Sequence, residues 1–386
     1  MPLILDNKSL MNNLDYRVTY EQKYRILIAE GRYRIPRSHG ASVPDEVAIG
    51  KDGETQEEWL NKHRTSSQQI KLTKLVHMRY QHPDLDEITQ FLQDFGMLVN
   101  VKTDTEVWYR GYGPDQYIYY AQKGPKKFLG GTFEVESYAE LERAAQLPDA
   151  GQIEKLQNAP GGGWLVSLTD PEGFPLNLIY GQTPVEADKL PEKLIVNYEV
   201  EKMRERMFQR FQNGPAATHK LGHYGLCVTK FDELLHWYTN IFNLVPSDML
   251  YVNEPSSAEN EPEKRKFVAM FAHIDRGLDT VDHHTFFLSG NPTGHVHHCS
   301  FEVHDFDTLQ LGHQWLAKKG HKSVWGVGRH IVGSQIFDYW WDTTGNMMEH
   351  YADGDIVNKF TPIGYLPAGE ESLAVWGPEV PQSFLD

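Results

Sequence analysis

Four strand–helix units in two pairs, an α+β architecture of paired βαβββ modules, is the fold class this sequence predicts. Two observations predict it: the chain repeats itself at long range, and each copy opens on a strand-like run followed at once by helical spacing. A third is the set of short aromatic runs after each helix, bounded by turn-forming residues as strands are.

The elements follow in order. Lys74-Leu75-Val76-His77 opens a strand, and residues 83–95 then place Leu85, Ile88, Phe91, Leu92 and Phe95 on one helical face. A shift of 146 residues reproduces this start. Lys220-Leu221-Gly222-His223 opens the second strand, and residues 231–242 follow as its helix. Asp86-Glu87 maps onto Asp232-Glu233, and Leu98-Val99 onto Leu244-Val245. Further on, Thr132-Phe133-Glu134-Val135 is echoed by Ser300-Phe301-Glu302-Val303, and the turn Asp170-Pro171-Glu172-Gly173 by Asp342-Thr343-Thr344-Gly345. Each half thus has two module starts, near Lys74 and Phe128 in the first and near Lys220 and His295 in the second. Short strands are expected at residues 106–112, 116–122, 266–273 and 284–289.

Domain organisation follows from the repeat. Residues 1–70 form an N-terminal extension, with a helix around residues 20–30 and an extended arm over 36–68, which shows no periodicity. Residues 71–190 form the first, non-catalytic module pair. Residues 191–217 form a linker with a helix at 200–212, 218–360 the catalytic pair, and 361–386 a tail.

The totals narrow the function. At 40% hydrophobic and 23% charged residues the chain reads as a globular protein. A formal charge of −16 argues against nucleic acid, whose phosphates would be repelled. No run of apolar residues is long enough for a membrane span, and no charged start precedes an apolar stretch as in a signal peptide. Two cysteines, Cys227 and Cys299, make no disulfide framework and suit a reducing cytoplasm. Eighteen histidines is a high number, and they crowd between His273 and His330.

The repeat also allows one half to be read against the other. Where the first has His77, Gly130 and Asn177, the second has His223, His298 and Glu349. Two neutral imidazoles and one carboxylate form the facial triad suited to non-haem Fe(II), whereas glycine offers no ligand and asparagine a poor one. Only the second half is therefore expected to hold metal. Strand alternation selects His298 over His297: Cys299, Phe301 and Val303 share the face of His297 and are apolar, while Ser300 and Glu302 share that of His298.

These motifs resemble the type I extradiol dioxygenases of the vicinal oxygen chelate superfamily. The series runs Leu221-Gly222-His223, His283-His284-Thr285, His297-His298, Phe301-Glu302-Val303, Gly328-Arg329-His330, Phe337-Asp338-Tyr339 and Glu349-His350-Tyr351. The resemblance covers about residues 72–360. It implies βαβββ pairs wrapped into two barrel-like domains, one Fe(II) (or Mn(II), which the same donors accept) in the second, and a homo-oligomer. It further implies that a catechol-type substrate is opened by O2 beside its hydroxyls, giving a semialdehyde or keto acid. His284 would be the acid–base group beside the oxygen site, with His330 and Tyr339 hydrogen-bonded to the substrate oxygens. His330 and Tyr339 are an odd number of residues apart, so Gly333-Ser334 is expected to reset the register. An aromatic pocket from Trp325, Phe286, Trp340 and Trp341 is expected. A 4-hydroxyphenylpyruvate dioxygenase-like enzyme, which would not need these three groups together, and a ligand-binding protein of the same fold are the alternatives.

Overall fold

The computed structural model describes residues 53–66, 68–254 and 264–385. The helix expected around residues 20–30 lies outside them. Within the expected arm, residues 56–63 form a helix instead, α1 (Gln56–His63). Thr55 and Glu58 close a capping box at its start. Trp59 is buried, and Arg64 donates to the carbonyls of Thr239 and Leu244. Two turns are too short to leave a period in the sequence, which is why the helix was not visible there.

The first module runs β1 (Leu72–His82), α2 (Leu85–Asp94), β2 (Leu98–Lys102), β3 (Glu106–Arg110) and β4 (Tyr119–Lys123). Asp84 caps α2 by accepting from the amides of Asp86 and Glu87, a contact worth about 1 kcal/mol. Ile88, Phe91 and Leu92 are buried beneath it, each contributing roughly 1.5–3 kcal/mol. The helix ends at Gly96 (φ +102°), where a Cβ would lie 1.7 Å from the Ala216 carbonyl oxygen. The second module repeats the plan with β5 (Lys127–Val135), α3 (Tyr138–Ala144), β6 (Glu154–Lys155), β7 (Trp164–Thr169) and β8 (Pro175–Tyr180). Together they make one sheet in the order β2-β3-β4-β1-β5-β8-β7-β6, with β1 antiparallel to β5 at the seam.

The second half reproduces this arrangement. Its elements are β9 (Thr218–Val228), α4 (Phe231–Ile241), β10 (Leu244–Glu254), β11 (Lys264–Ile274), β12 (Val281–Asp282) and β13 (Phe286–Gly290). They continue as β14 (His295–Val303), α5 (Phe306–Lys319), β15 (Lys322–His330), β16 (Ile336–Trp341) and β17 (Met347–Ala352). The chain closes with β18 (Ile356–Val357), β19 (Gly364–Pro367), β20 (Ala374–Trp376) and the single turn α6 (Gln382–Leu385). The sheet order is β19-β10-β11-β13-β9-β14-β17-β16-β15-β20, the first-half order with one strand added at each edge. Those two edge strands come from residues 361–386, so this segment is not a simple tail.

The repeated turn is identical in its bonding. Asp170 Oδ1 accepts from the amides of Glu172 and Phe174, and Asp342 Oδ1 from those of Thr344 and Asn346. Gly173 and Gly345 both take positive φ, +91° and +78°. The two halves share a core, in which Phe133 and Phe286 approach Tyr224. Gly131 makes room for that tyrosine: a Cβ there would lie 2.4 Å from its ring.

Between the halves, residues 181–217 contain no helix, contrary to the sequence expectation for 200–212. Val200, Met203 and Phe208 are exposed. A short segment with no surface to bury its apolar positions against gains little from helix formation, whatever its propensities. None of the described helices is long and apolar enough to cross a membrane.

Candidate metal centre

Strands β9, β14 and β17 lie side by side, and their register builds the centre. His223 and Glu349 both pair with Ser300, from opposite sides. His298, two residues before Ser300, projects to the same face by strand alternation. The three side chains meet underneath: His223 Nε2 lies 3.1 Å from His298 Nε2 and 3.1 Å from Glu349 Oε2, and His298 Nε2 lies 3.4 Å from the same oxygen. They are 2%, 5% and 0% exposed.

These donors fit a divalent cation. Ligands about 2.1 Å from an ion at right angles to one another stand about 3 Å apart, close to the spacings observed. The contacts to Glu349 are near in distance but wrong in direction for hydrogen bonds, so neither of its buried oxygens has a donor. An isolated buried carboxylate is costly, and a cation at the meeting point would offset that cost. Burial alone would raise the pKa of Glu349. The imidazoles of His223 and His298 outweigh it and hold the carboxyl well below its usual range. Among the described residues this is the one group of three His, Cys, Asp or Glu side chains with converging donor atoms.

A second layer orients His298. Its Nδ1 lies 2.7 Å from His297 Nδ1, and His297 Nε2 is 2.8 Å from the Phe384 carbonyl. A carbonyl only accepts, so His297 must donate from Nε2 and accept at Nδ1. His298 therefore donates from Nδ1 and keeps the Nε2 lone pair aimed at the centre. Burial pushes His297 down to about 3, keeping it neutral for this role.

The centre opens on a cavity of about 140 Å³ lined by Leu250, Phe271, Phe287, Val332, Tyr339 and Phe384, among others. The expected aromatic pocket is corrected here. Phe286 alternates with Phe287 along β13 and points into the core against Tyr224 and Tyr238. Trp325 stacks behind Tyr339 at 5.9 Å, and Trp340 and Trp341 are absent from the lining. Leu373, Phe384 and Leu385 come from the C-terminal segment. That segment has no copy in the first half, so no repeat could have pointed to them.

All three predicted non-ligand residues line the same cavity. The His284 ring lies 4.1 Å from that of His223, and burial, ahead of the neighbouring imidazoles, lowers its pKa well below the ordinary value. His330 Nε2 is 2.8 Å from Tyr339 Oη, and its Nδ1 is 2.7 Å from the Leu373 carbonyl. By the same reasoning His330 donates from Nδ1 and accepts the tyrosine hydroxyl proton at Nε2. Burial holds His330 at about 4 and Tyr339 well above 10. Their odd spacing poses no conflict, because they lie on the two strands of a hairpin. Gly333 and Ser334 form its turn with φ +76° and +56°.

In sequence, residues 220–349 match the Glyoxalase/Bleomycin resistance protein/Dioxygenase superfamily. The match falls within the second half of the chain. The chain is 25% identical to metapyrocatechase 2 of Cupriavidus necator over 325 residues, covering 80% of this chain and 90% of that protein. Among solved structures it resembles homoprotocatechuate 2,3-dioxygenase from Arthrobacter globiformis, with a TM-score of 0.67 at 17% identity over 84% of this chain and 94% of that one. A Mn(II)-bound glyoxalase from Novosphingobium aromaticivorans has a TM-score of 0.64 at 16% identity, over 81% and 94% of the two chains. The paired-module fold is therefore that of these solved structures.

Proposed function

We propose that this protein is an extradiol dioxygenase, which opens the ring of a catecholic substrate beside its two hydroxyls and places both atoms of O2 in the product. The observation that carries the reading is the shared cavity: a carboxylate–bis-imidazole centre, a neutral histidine and a histidine–tyrosine pair face one apolar space. An engineered apolar cavity of about 150 Å³ accepts benzene, so this space suits a single ring. Metapyrocatechase and homoprotocatechuate 2,3-dioxygenase among the relatives support the same class of chemistry.

His223, His298 and Glu349 would hold Fe(II), with Mn(II) accepted by the same donors. The ion would supply acidification of the substrate hydroxyls and the redox capacity that O2 chemistry needs. The protein's own groups handle the protons. Tyr339 donates its hydroxyl hydrogen bond to His330 Nε2 and keeps the proton, which leaves the phenol oxygen's lone pairs free to accept from a substrate hydroxyl. His284, neutral in its buried site, serves as the general base and then the general acid on the oxygen side. Phe271, Phe287 and Phe384 exclude water from the ring. A homo-oligomer of the cytoplasm completes the reading. The exposed Tyr198, Val200 and Phe208 support an assembly surface, and two buried free cysteines support a reducing compartment.

Anaerobic loading with Fe(II) or Mn(II), followed by a panel of catechols and O2, tests the function. Oxygen uptake with a yellow ring-opened product is expected from at least one catechol. No uptake with any of them, in protein carrying one metal per chain, contradicts the assignment.

A further inference from the structure

The second histidine pair of the cavity is wired as the first is. His283 Nδ1 lies 3.1 Å from His284 Nδ1, and His283 Nε2 lies 2.7 Å from Asp248 Oδ2. Asp248, His283 and His284 are all buried. A carboxylate accepts and cannot donate, so His283 donates from Nε2, and as a neutral ring it presents a lone pair at Nδ1. His284 then has to donate from Nδ1, which leaves Nε2 unprotonated as the nitrogen that serves the cavity. Here Asp248 occupies the role that the Phe384 carbonyl has for His297 and His298.

The backbone around this chain of groups is arranged to hold it. The pairing of β10 with β11 slips between Pro246 and Asp248, a bulge that re-aims the side chains on either side of it. Ser247 there donates to the His283 carbonyl. The His283 amide donates to the Asp355 carbonyl at 2.9 Å, which fixes the residue from its other side. Gly333, at φ +76°, leaves the ring its space: a Cβ there would lie 3.0 Å from His283 Nδ1.

We propose that Asp248 and His283 are positioning residues, which fix His284 in the Nδ1–H tautomer and so make its Nε2 the working base of the cavity. This rests on the reading of His284 as the acid–base group. Neither residue need touch substrate. The Asp–His logic is that of hydrolase triads, where an Asp→Asn change keeps the geometry but yields the wrong tautomer. In Asp248→Asn the amide can donate to His283 Nε2, which reverses both rings and places the His284 proton on Nε2.

The test is ring ¹⁵N NMR of the Zn(II)-loaded, diamagnetic protein, combined with kinetics of the Fe(II) enzyme. Wild type is expected to carry its His284 proton on Nδ1 and its His283 proton on Nε2. Asp248→Asn is expected to reverse both, keep its metal and its anaerobic catechol Kd, and lose roughly 10- to 1000-fold in kcat. An Nε2–H tautomer for His284 in the wild type overturns the proposal, even if the variant does not fold. So does an unchanged tautomer in Asp248→Asn with kcat within threefold of wild type. His284→Gln separates the two levels: retained turnover there refutes the acid–base reading itself. Lost turnover in His284→Gln beside a normal Asp248→Asn refutes only the positioning.

Discussion

The two halves of this molecule share a backbone and differ in what they leave unsatisfied. In the second, His223 and Glu349 flank Ser300, and His298 faces Gly225 across the β9–β14 ladder. In the first, His77 and Asn177 flank Thr132 in the same way, and Gly130 faces Arg79. The histidine and its bare glycine partner have been replaced by a glycine and an arginine. Arg79 donates to Asn177 Oδ1 at 3.2 Å, Ser167 donates to the same oxygen at 2.7 Å, and Asn177 Nδ2 donates to the Leu129 carbonyl at 2.9 Å. The first half therefore supplies its own cation and satisfies its amide. In the second, the donors of Glu349 are missing and the nitrogens converge. On the proposed reading a metal is held where the protein leaves its polar groups without partners, and the fold alone does not decide this.

The largest effect is expected on the second half. His298→Ala should remove the ion and with it measurable turnover, while the first half keeps the chain folded; circular dichroism with metal analysis checks both. Gly130→His asks whether the missing ligand can be restored in the first half. Gly130 sits at φ +104°, and a Cβ there would lie 2.5 Å from Asn177 Nδ2. The variant should gain no metal and lose about 1–3 kcal/mol of stability from the strained backbone, read as a fall in Tm.

Acid should weaken both halves through histidines that are not among the three converging donors. Burial holds His82 in the first half and His273 in the second down to about 4. In the unfolded chain both return to about 6.5. Between those values the unfolded chain binds protons that the folded one refuses, so stability falls as pH drops from about 6.5 towards 4 and levels off below. Urea midpoints across that range check this; a flat profile would contradict it. The smallest effect is expected for His77→Ala. Its ring packs against Tyr117 at 4.3 Å and its Nδ1 has no partner. Turnover and metal content should stay within about threefold of wild type, because Gly130 and Asn177 build no site around it. A loss greater than tenfold in folded protein would mean that the first half takes part in catalysis.

What was legible in the sequence was what the repeat could expose. Alternation along β14 separates His298 from His297, and the comparison with Asn177 singles out Glu349. Both inferences use only side-chain period and internal homology. The cavity wall was less legible. Nothing in Phe286-Phe287 says which ring faces inward until the register of β13 against β9 is known. The C-terminal segment has no counterpart to be read against, so Leu373 and Phe384 were invisible. Asp248 lies 35 residues from His283, and only the sheet brings the two together. The helix expected at 200–212 failed for the opposite reason, since local propensity was present and a surface to pack on was not.

The central claim is that one half binds a single ion and the other none. Metal analysis of wild type beside Glu349→Ala and His77→Ala, each refolded or expressed with excess Fe(II) and desalted anaerobically, tests it most directly. One equivalent per chain in wild type and His77→Ala, and none in Glu349→Ala, is the result predicted. Two equivalents in wild type, or full occupancy in Glu349→Ala, would contradict it.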